Sequence, residues 1–144
     1  MYEPPHFRET DLATLHGVMQ SQPLGLLVSN GPSGSLADAV PFLLDPAAGP
    51  NGTLHCHLAR ANPQWQVLGS ADEALVVFQG GQAYITPSWY PSKAAHGEVV
   101  PTWDYVVAHA HGVARAIDDR DWLLAMLERL TVTQESTRPT PWRV

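Results

Sequence analysis

The chain has 144 residues and a mass of 15.7 kDa, the size of one domain, so two independent cores are not expected. Eight lysines and arginines against 14 acidic residues give a net charge of −6, which argues against a protein that binds the phosphate backbone of DNA or RNA. Only 15% of the residues are charged and 44% are apolar, so we expect neutral or apolar surface that a ligand or partner covers.

The single cysteine, Cys56, excludes a disulfide within the chain and is typical of a reducing compartment. Residues 1–7 lack the basic region and the apolar run of a signal peptide. No apolar stretch reaches the ~18 residues of a membrane-spanning helix. These features predict a soluble cytoplasmic protein.

The apolar pattern of the first half predicts one helix followed by three strands. Apolar residues recur at helical spacing over residues 11–20, where Thr10 is in position to cap the helix. The turn-forming residues 30–34 are expected to join the first two strands as a hairpin. The three strands are predicted at residues 24–29, 37–44 and 53–58.

A short helix and a second hairpin are predicted next. Asn62 is a good N-cap before a proline, so we expect a helix at residues 63–68 that closes at Gly69. Two segments rich in β-forming residues, 73–78 and 82–86, flank a glycine pair. Such a pair is typical of a tight turn, which predicts a hairpin.

A long loop, a strand and a helix complete the chain. Residues 87–102 contain three prolines and are predicted to form a lid or binding loop. A strand is expected at residues 103–117, with a bend near Gly112, and Asp118 is expected to cap a helix over about residues 119–131.

Six strands and three short helices predict an α+β fold dominated by β-structure. Strands of this number and length close most easily as a small barrel. We expect one domain over residues 1–144, flanked by the helices at residues 11–20 and 119–131.

The segment from His57 to Pro63 is a candidate anion site. It runs from a predicted strand into a helix start, where free backbone N–H groups and the positive end of the helix dipole attract an anion. The guanidinium of Arg60 adds forked, charged donors that suit a phosphate. The alternative is that Asn62 only caps its own helix and that Arg60 is a solvated side chain.

Histidines alternate on two of the predicted strands. His55 and His57 would lie about 6.6 Å apart on one strand face, and His109 and His111 repeat the pattern. Four imidazoles would suit zinc or copper if the two faces met. Because no carboxylate or cysteine completes either pair at ligand spacing, we predict hydrogen-bonding or pocket-lining roles and no metal.

Aromatic, hydroxyl and cationic side chains gather in the predicted loop and at the strand after it. Trp89, Tyr90 or Trp103 can stack on a planar ring while Ser88 or Lys93 reaches a phosphate. The alternative is an aromatic plug that covers one end of the barrel.

Five segments in order carry a resemblance over essentially the whole chain. They are residues 1–7, Pro41-Phe42-Leu43-Leu44, His57-Leu58-Ala59-Arg60-Ala61-Asn62-Pro63, Ser88-Trp89-Tyr90-Pro91-Ser92-Lys93 and Val100-Pro101-Thr102-Trp103. These segments are similar to those of the PaiB family of FMN-binding negative transcriptional regulators.

The resemblance implies a six-stranded FMN-binding split barrel, related to pyridoxine-phosphate oxidase, that binds FMN as a homodimer. Arg60 is then expected to hold the FMN phosphate with help from Ser88 and Lys93, and Trp103 is the first choice for a contact with the flavin ring. The full set of expected cofactor-binding residues is His57, Arg60, Asn62, Ser88, Trp89, Tyr90, Lys93, Thr102 and Trp103.

The chain departs from the family pattern at two positions. Ala39 stands where members often carry histidine, and Asp104 stands where asparagine usually follows Thr-Trp. Members also continue beyond the equivalent of Val144, so the resemblance leads us to expect a truncated form.

Three functions remain open on the sequence. The first is an FMN-binding regulator whose effect on DNA is indirect, because nothing resembles a helix-turn-helix. The second is a flavin-dependent oxidoreductase or flavin reductase on the same barrel. The third is a dimeric interaction module without a ligand.

Overall fold

The structure is a computed structural model that describes residues 1–68 and 73–144. The helices are α1 (Leu12–Ser21), α2 (Gln64–Val67), α3 (Pro91–His96) and α4 (Arg120–Glu135), with short 3₁₀ turns at Pro5–Phe7 and Pro87–Trp89. The strands are β1 (Leu24–Gly31), β2 (Gly34–Pro41), β3 (Leu43–Asp45), β4 (Thr53–His55), β5 (Glu73–Ile85) and β6 (Thr102–Val113). Among these helices, none has the length and apolar character that a membrane span requires.

The predicted α+β fold dominated by β-structure is confirmed, with six antiparallel strands and a few short helices. Four strands form one sheet in the order β2-β1-β5-β6, and β3 pairs with β4 in a second sheet. The strands do not close into one continuous hydrogen-bonded ring within residues 1–68 and 73–144. The edges β2 and β6 of the larger sheet therefore stay apart in the single chain.

The first predicted hairpin is confirmed, with β1 ending at Gly31 instead of residue 29 and β2 beginning at Gly34 instead of residue 37. β1 and β2 pair from Leu24 opposite Pro41 to Gly31 opposite Gly34. Gly34 has a φ of +114°, a conformation that favours glycine at this tight turn. The chain leaves the sheet at Phe42, so the predicted strand 37–44 is divided between β2 and β3.

The second predicted hairpin is wrong. Residues 73–85 form one continuous strand, β5, which pairs with β6 along its whole length. The glycine pair shifts the register between Gln79 and Gln82 instead of turning the chain. A Cβ at Gly80 would lie 3.0 Å from the Cβ of Val106, so the bulge also brings the two backbones unusually close.

Helix ends differ from the prediction by one residue in two places. Asp11, not Thr10, caps α1 by accepting a hydrogen bond from the Thr14 backbone N–H at 2.8 Å. Asp119, not Asp118, caps α4 by accepting from the Trp122 backbone N–H at 2.7 Å. In both places two side chains of similar capping ability are adjacent, and local propensity does not choose between them. The predicted helix end at Gly69 lies outside the described residues.

The core lies between the larger sheet and the segments that cover it. Phe78 is fully buried and meets Phe42 edge to face, with ring centroids 5.7 Å apart. Gly25 of β1 lies against these rings, because a Cβ there would be 3.0 Å from each of them. The other buried apolar members of the cluster are Leu27, Val40, Leu68, Ala74, Val76 and Ala108.

The outer part of the β5–β6 pair extends beyond the rest of the sheet. β1 contacts β5 only at Leu75–Val77, so residues 79–85 of β5 pair with residues 102–107 of β6 alone. We call these two segments the aromatic ribbon. Its exposed large side chains are Tyr84, Trp103, Tyr105 and Val106.

The predicted loop at residues 87–102 contains short helices. Pro87–Trp89 forms a 3₁₀ turn, Pro91–His96 forms α3, and Gly97 ends α3 with a φ of +72°. Two of the three prolines that suggested an irregular loop, Pro87 and Pro91, stand at the first positions of these two turns, where the fixed φ of proline favours a helix start.

Candidate functional site

The segment that carries Arg60 links β4 to α2 and is held by its own backbone. The Asn62 backbone N–H donates to the Ala59 carbonyl at 2.8 Å, which closes a turn around Arg60. The Trp65 indole N–H donates to the Arg60 carbonyl at 3.0 Å. These bonds fix the backbone of Arg60 and leave its side chain directed away from the core.

The Arg60 side chain is paired with Asp118, 58 residues further along the chain. Its two terminal nitrogens donate to the two carboxylate oxygens at 2.5 and 3.1 Å. The Arg60 and Asp118 side chains are 75% and 74% exposed. The hydrogen bonds to the partner raise the pKa of Arg60 and lower the pKa of Asp118, so both groups are charged at neutral pH.

Asn62 and Gln64 attach this segment to the sheet. The Asn62 side chain donates to Asp38 on β2 at 2.6 Å and accepts from the Gln64 backbone N–H at 2.8 Å. The buried Gln64 amide donates to the Leu27 carbonyl at 2.9 Å and to the Ser29 hydroxyl at 3.1 Å. Both side chains therefore position the segment.

The predicted contribution of a helix N-terminus to the anion site is small here. α2 has four residues, too few to build a substantial dipole at its first turn. His57 is exposed and lies beyond the end of β4, which stops at His55. The side chain that offers charged donors in this segment is Arg60.

Ser88 and Lys93 form a second polar group, between β5 and β6. The Lys93 ammonium donates to the Ser88 hydroxyl at 3.2 Å, and the Ser88 backbone N–H donates to the Thr86 hydroxyl at 3.3 Å. Trp89 and Tyr90, between these two residues, are exposed. One cation, one hydroxyl and two aromatic rings are thus presented to solvent by one short turn.

The aromatic ribbon continues this surface. Trp103 is 56% exposed and meets Tyr84 of β5 edge to face, with ring centroids 5.8 Å apart. The neighbouring Thr102 pairs with Ile85 at the end of the ladder. An open cavity of about 310 Å³ lies on the ribbon and is lined by Gln79, Gly80, Gln82, Trp103, Tyr105 and Val106.

Apart from Trp103, these lining residues were missed as site residues from the sequence. Gln79 and Gly80 were assigned to a turn, Gln82 to the strand predicted after it, and Tyr105 and Val106 to the strand predicted at residues 103–117. Once β5 is continuous, the pairing of Gln82 with Tyr105 places the two side chains at adjacent ladder positions. A long alternating pattern across the glycine pair was the signal that could have revealed them.

The predicted site residues fall into two groups in the single chain. His57, Arg60 and Asn62 lie between β4 and α2, whereas Ser88, Trp89, Tyr90, Lys93, Thr102 and Trp103 lie on the ribbon or the turn beside it. Within residues 1–68 and 73–144, no hydrogen bond or ion pair joins one group to the other. One protomer therefore presents two separate halves of the predicted cofactor site.

The histidines do not form the arrangement predicted from strand alternation. β4 ends at His55, whose ring lies 5.8 Å from the Trp122 ring, so His55 and His57 do not share a strand face. His109 and His111 do lie on β6, and His111 faces Glu73 at 3.8 Å. The part of the chain that the structure describes holds no group of three or more side chains suited to a metal ion.

Cys56 should react slowly with thiol reagents. Burial of the side chain against the core raises the pKa of its thiol to about 11. Because the thiolate is the nucleophile, its fraction near pH 8 is far below that of an unperturbed cysteine with a pKa of ~8.5. We expect a rate with a disulfide reagent at least about tenfold lower in native protein than in urea, rising as the pH approaches 11. Equal native and unfolded rates would contradict this.

Comparison with known proteins places this arrangement in a family. A family model described as "Putative FMN-binding domain" matches residues 1–144. An uncharacterized protein of Saccharomyces cerevisiae is 35% identical over 96% of this chain and 93% of its own length. An uncharacterized protein of Emericella nidulans is 31% identical over 94% of this chain and 68% of its own length.

A bacterial relative connects the chain to the resemblance drawn from its motifs. The protease synthase and sporulation protein PAI 2 of Bacillus subtilis is 30% identical over 94% of this chain, which spans 60% of that relative's length. The family model covers the whole chain, including every segment on which the resemblance rested. The chain belongs to the PaiB-type family of FMN-binding domains.

Proposed function

We propose that residues 1–144 bind FMN and act as a flavin-binding regulator in a homodimer, with each cofactor held by both protomers. The observation that carries this proposal is the division of the predicted site into two exposed halves, a guanidinium segment and an aromatic ribbon. A second copy of the chain can bring the ribbon of one protomer to the Arg60 segment of the other.

The residues present suit FMN chemically. The phosphate needs charged donors, which Arg60, Lys93 and Ser88 offer. The flavin ring needs an aromatic surface with amide groups at its polar edge, and the cavity on the ribbon combines Trp103 with two glutamines. Bound FMN would supply electron transfer, while the protein supplies binding and orientation.

The exposed area of the chain supports a dimer. Its accessible surface is 10,332 Å², whereas a compact monomer of this mass has about 7,300 Å². A typical stable interface removes about 800 Å² from each partner, so the excess is large enough for one. Light scattering should give a species of twice the chain mass, and a concentration-independent 15.7 kDa species would count against the dimer.

We propose that any effect on DNA is indirect. The net charge of −6 does not suit direct contact with a phosphate backbone. The Bacillus subtilis relative is named a protease synthase and sporulation protein, a name that does not mention DNA binding. A flavin-responsive dimer that acts through another protein is compatible with both observations.

The experiment is an absorption spectrum of the purified protein, taken alone, with added FMN, and then with added NADPH. A protein that is yellow as purified, or that retains stoichiometric FMN after unbound flavin is removed, and that NADPH does not bleach catalytically, supports the proposal. Catalytic bleaching by NADPH would instead assign a flavin reductase. A protein that retains no FMN under any condition would overturn the proposal.

Replacing Trp103 tests the flavin-ring half of the site. We expect Trp103→Phe to weaken FMN binding by about two- to tenfold and to restore part of the quenched flavin fluorescence, because a smaller ring stacks less well. The matched control is Trp142→Phe in the C-terminal tail, which is 63% exposed and should change neither quantity. Unchanged affinity and fluorescence at a normal melting temperature would remove Trp103 from the site.

A further inference from the structure

We infer that Asp118 competes with the FMN phosphate for Arg60 and thereby sets the affinity for the cofactor. This inference rests on the proposed function, because it assigns a counterion to the proposed phosphate ligand. The geometry points to it directly: both terminal nitrogens of Arg60 donate to Asp118, so the fork that suits a phosphate is already occupied by a carboxylate.

The exchange of one anion for the other requires little movement elsewhere. The Arg60 backbone is held by the Trp65 indole, so the guanidinium can swing on its own side chain. Asp118 precedes α4 and takes no part in capping it, since Asp119 makes the cap. Breaking the pair therefore leaves both segments in place.

The strengths of the two pairings favour exchange. Both side chains are about three-quarters exposed, and ion pairs in that setting are weak and screened by salt. A phosphate carries more charge than a carboxylate and offers three acceptor oxygens. Phosphate can thus displace Asp118, but the cofactor must first break the pair and then tolerate a displaced carboxylate nearby.

The need to break the pair between Arg60 and Asp118 weakens the measured affinity for FMN. When only a fraction of the protein has a free guanidinium, the apparent dissociation constant rises in inverse proportion to that fraction. Removing the Asp118 charge should free Arg60 in every molecule and remove the repulsion between carboxylate and phosphate. Riboflavin has no phosphate, so its binding should not depend on this pair.

The test compares FMN and riboflavin titrations of the full chain and its variants, followed by flavin fluorescence. We expect Asp118→Asn to tighten FMN binding by about three- to tenfold and to leave riboflavin within about twofold of the unmodified protein. The matched control is Asp121→Asn, which removes another exposed carboxylate that pairs with Arg120 at 3.4 Å. Asp121→Asn should leave both affinities unchanged. In an Arg60→Ala background, Asp118→Asn should have a smaller effect on FMN, because only the repulsion between carboxylate and phosphate is left to remove.

The outcomes separate this inference from the proposed function. Failure of the unmodified protein to bind FMN would overturn the proposed function itself. FMN binding that is weakened by Arg60→Ala but unaltered, or weakened, by Asp118→Asn would overturn the competition and leave FMN binding standing. Equal tightening of FMN and riboflavin would also overturn it, because the effect would not act through the phosphate. Asp118→Ala repeats the test with a side chain that cannot hydrogen-bond to Arg60.

Discussion

An Arg60→Ala protein should bind FMN about 10- to 100-fold more weakly than the unmodified protein, while its affinity for riboflavin changes by less than about twofold. The physical reason is the loss of the charged, forked donor that we propose for the FMN phosphate, a group that riboflavin lacks. The free protein already pairs this guanidinium with Asp118, and that pairing offsets part of the gain from phosphate binding. The measurement is a pair of fluorescence titrations at one salt concentration.

Two further variants define what Arg60 contributes. Arg60→Lys keeps the charge and loses the fork, so its FMN affinity should fall between those of the unmodified and alanine proteins. Arg120→Ala removes an arginine that is exposed on α4 and should leave FMN binding unchanged. Equal losses of FMN and riboflavin affinity in Arg60→Ala would exclude Arg60 from the phosphate site.

The largest effect on stability is expected for Phe78→Ala. Phe78 is fully buried, and its ring packs against Phe42 and against the backbone of Gly25. Removing a buried aromatic ring loses its transfer free energy and leaves a cavity, which lowers the free energy of unfolding by about 3–5 kcal/mol. Urea denaturation followed by tryptophan fluorescence measures the difference.

The control for this experiment is Phe7→Ala, because Phe7 is 78% exposed and should change the free energy of unfolding by less than about 0.5 kcal/mol. All proteins must be compared at one protein concentration, since the stability of a dimer depends on concentration. A loss below about 1.5 kcal/mol for Phe78→Ala would show that the core relaxes around the missing ring.

The parts of the fold that the sequence predicted correctly are those governed by local patterns. The apolar run at residues 24–29 and the turn-forming residues 30–34 were sufficient for the β1–β2 hairpin. The glycine pair at residues 80 and 81 was misread because glycine favours a bulge and a turn for the same conformational reason. The pairing of β5 with β6, which involves residues far apart in the chain, shows that the glycine pair forms a bulge and not a turn.

In the candidate site too, the sequence predicted the features that local patterns determine and missed those that depend on distant residues. Arg60 stood out as a cation beside a strand end, and the aromatic and hydroxyl groups near residue 90 stood out by composition. The partner of Arg60 could not be predicted, because Asp118 looked like a helix cap and lies 58 residues away. The role of the Gln64 amide, which attaches the Arg60 segment to β1, could not be predicted either. Only the packed structure shows that this side chain is buried and bonded to β1.

Asp118 and Asp119, the two adjacent carboxylates before α4, have different hydrogen-bond partners. Asp119 holds the first turn of the helix, and Asp118 faces Arg60. A substitution at position 118 therefore changes the charge that the guanidinium meets without loosening the helix behind it. If Asp118 competes with a phosphate as we propose, one substitution at this position adjusts how tightly the domain retains a phosphorylated ligand.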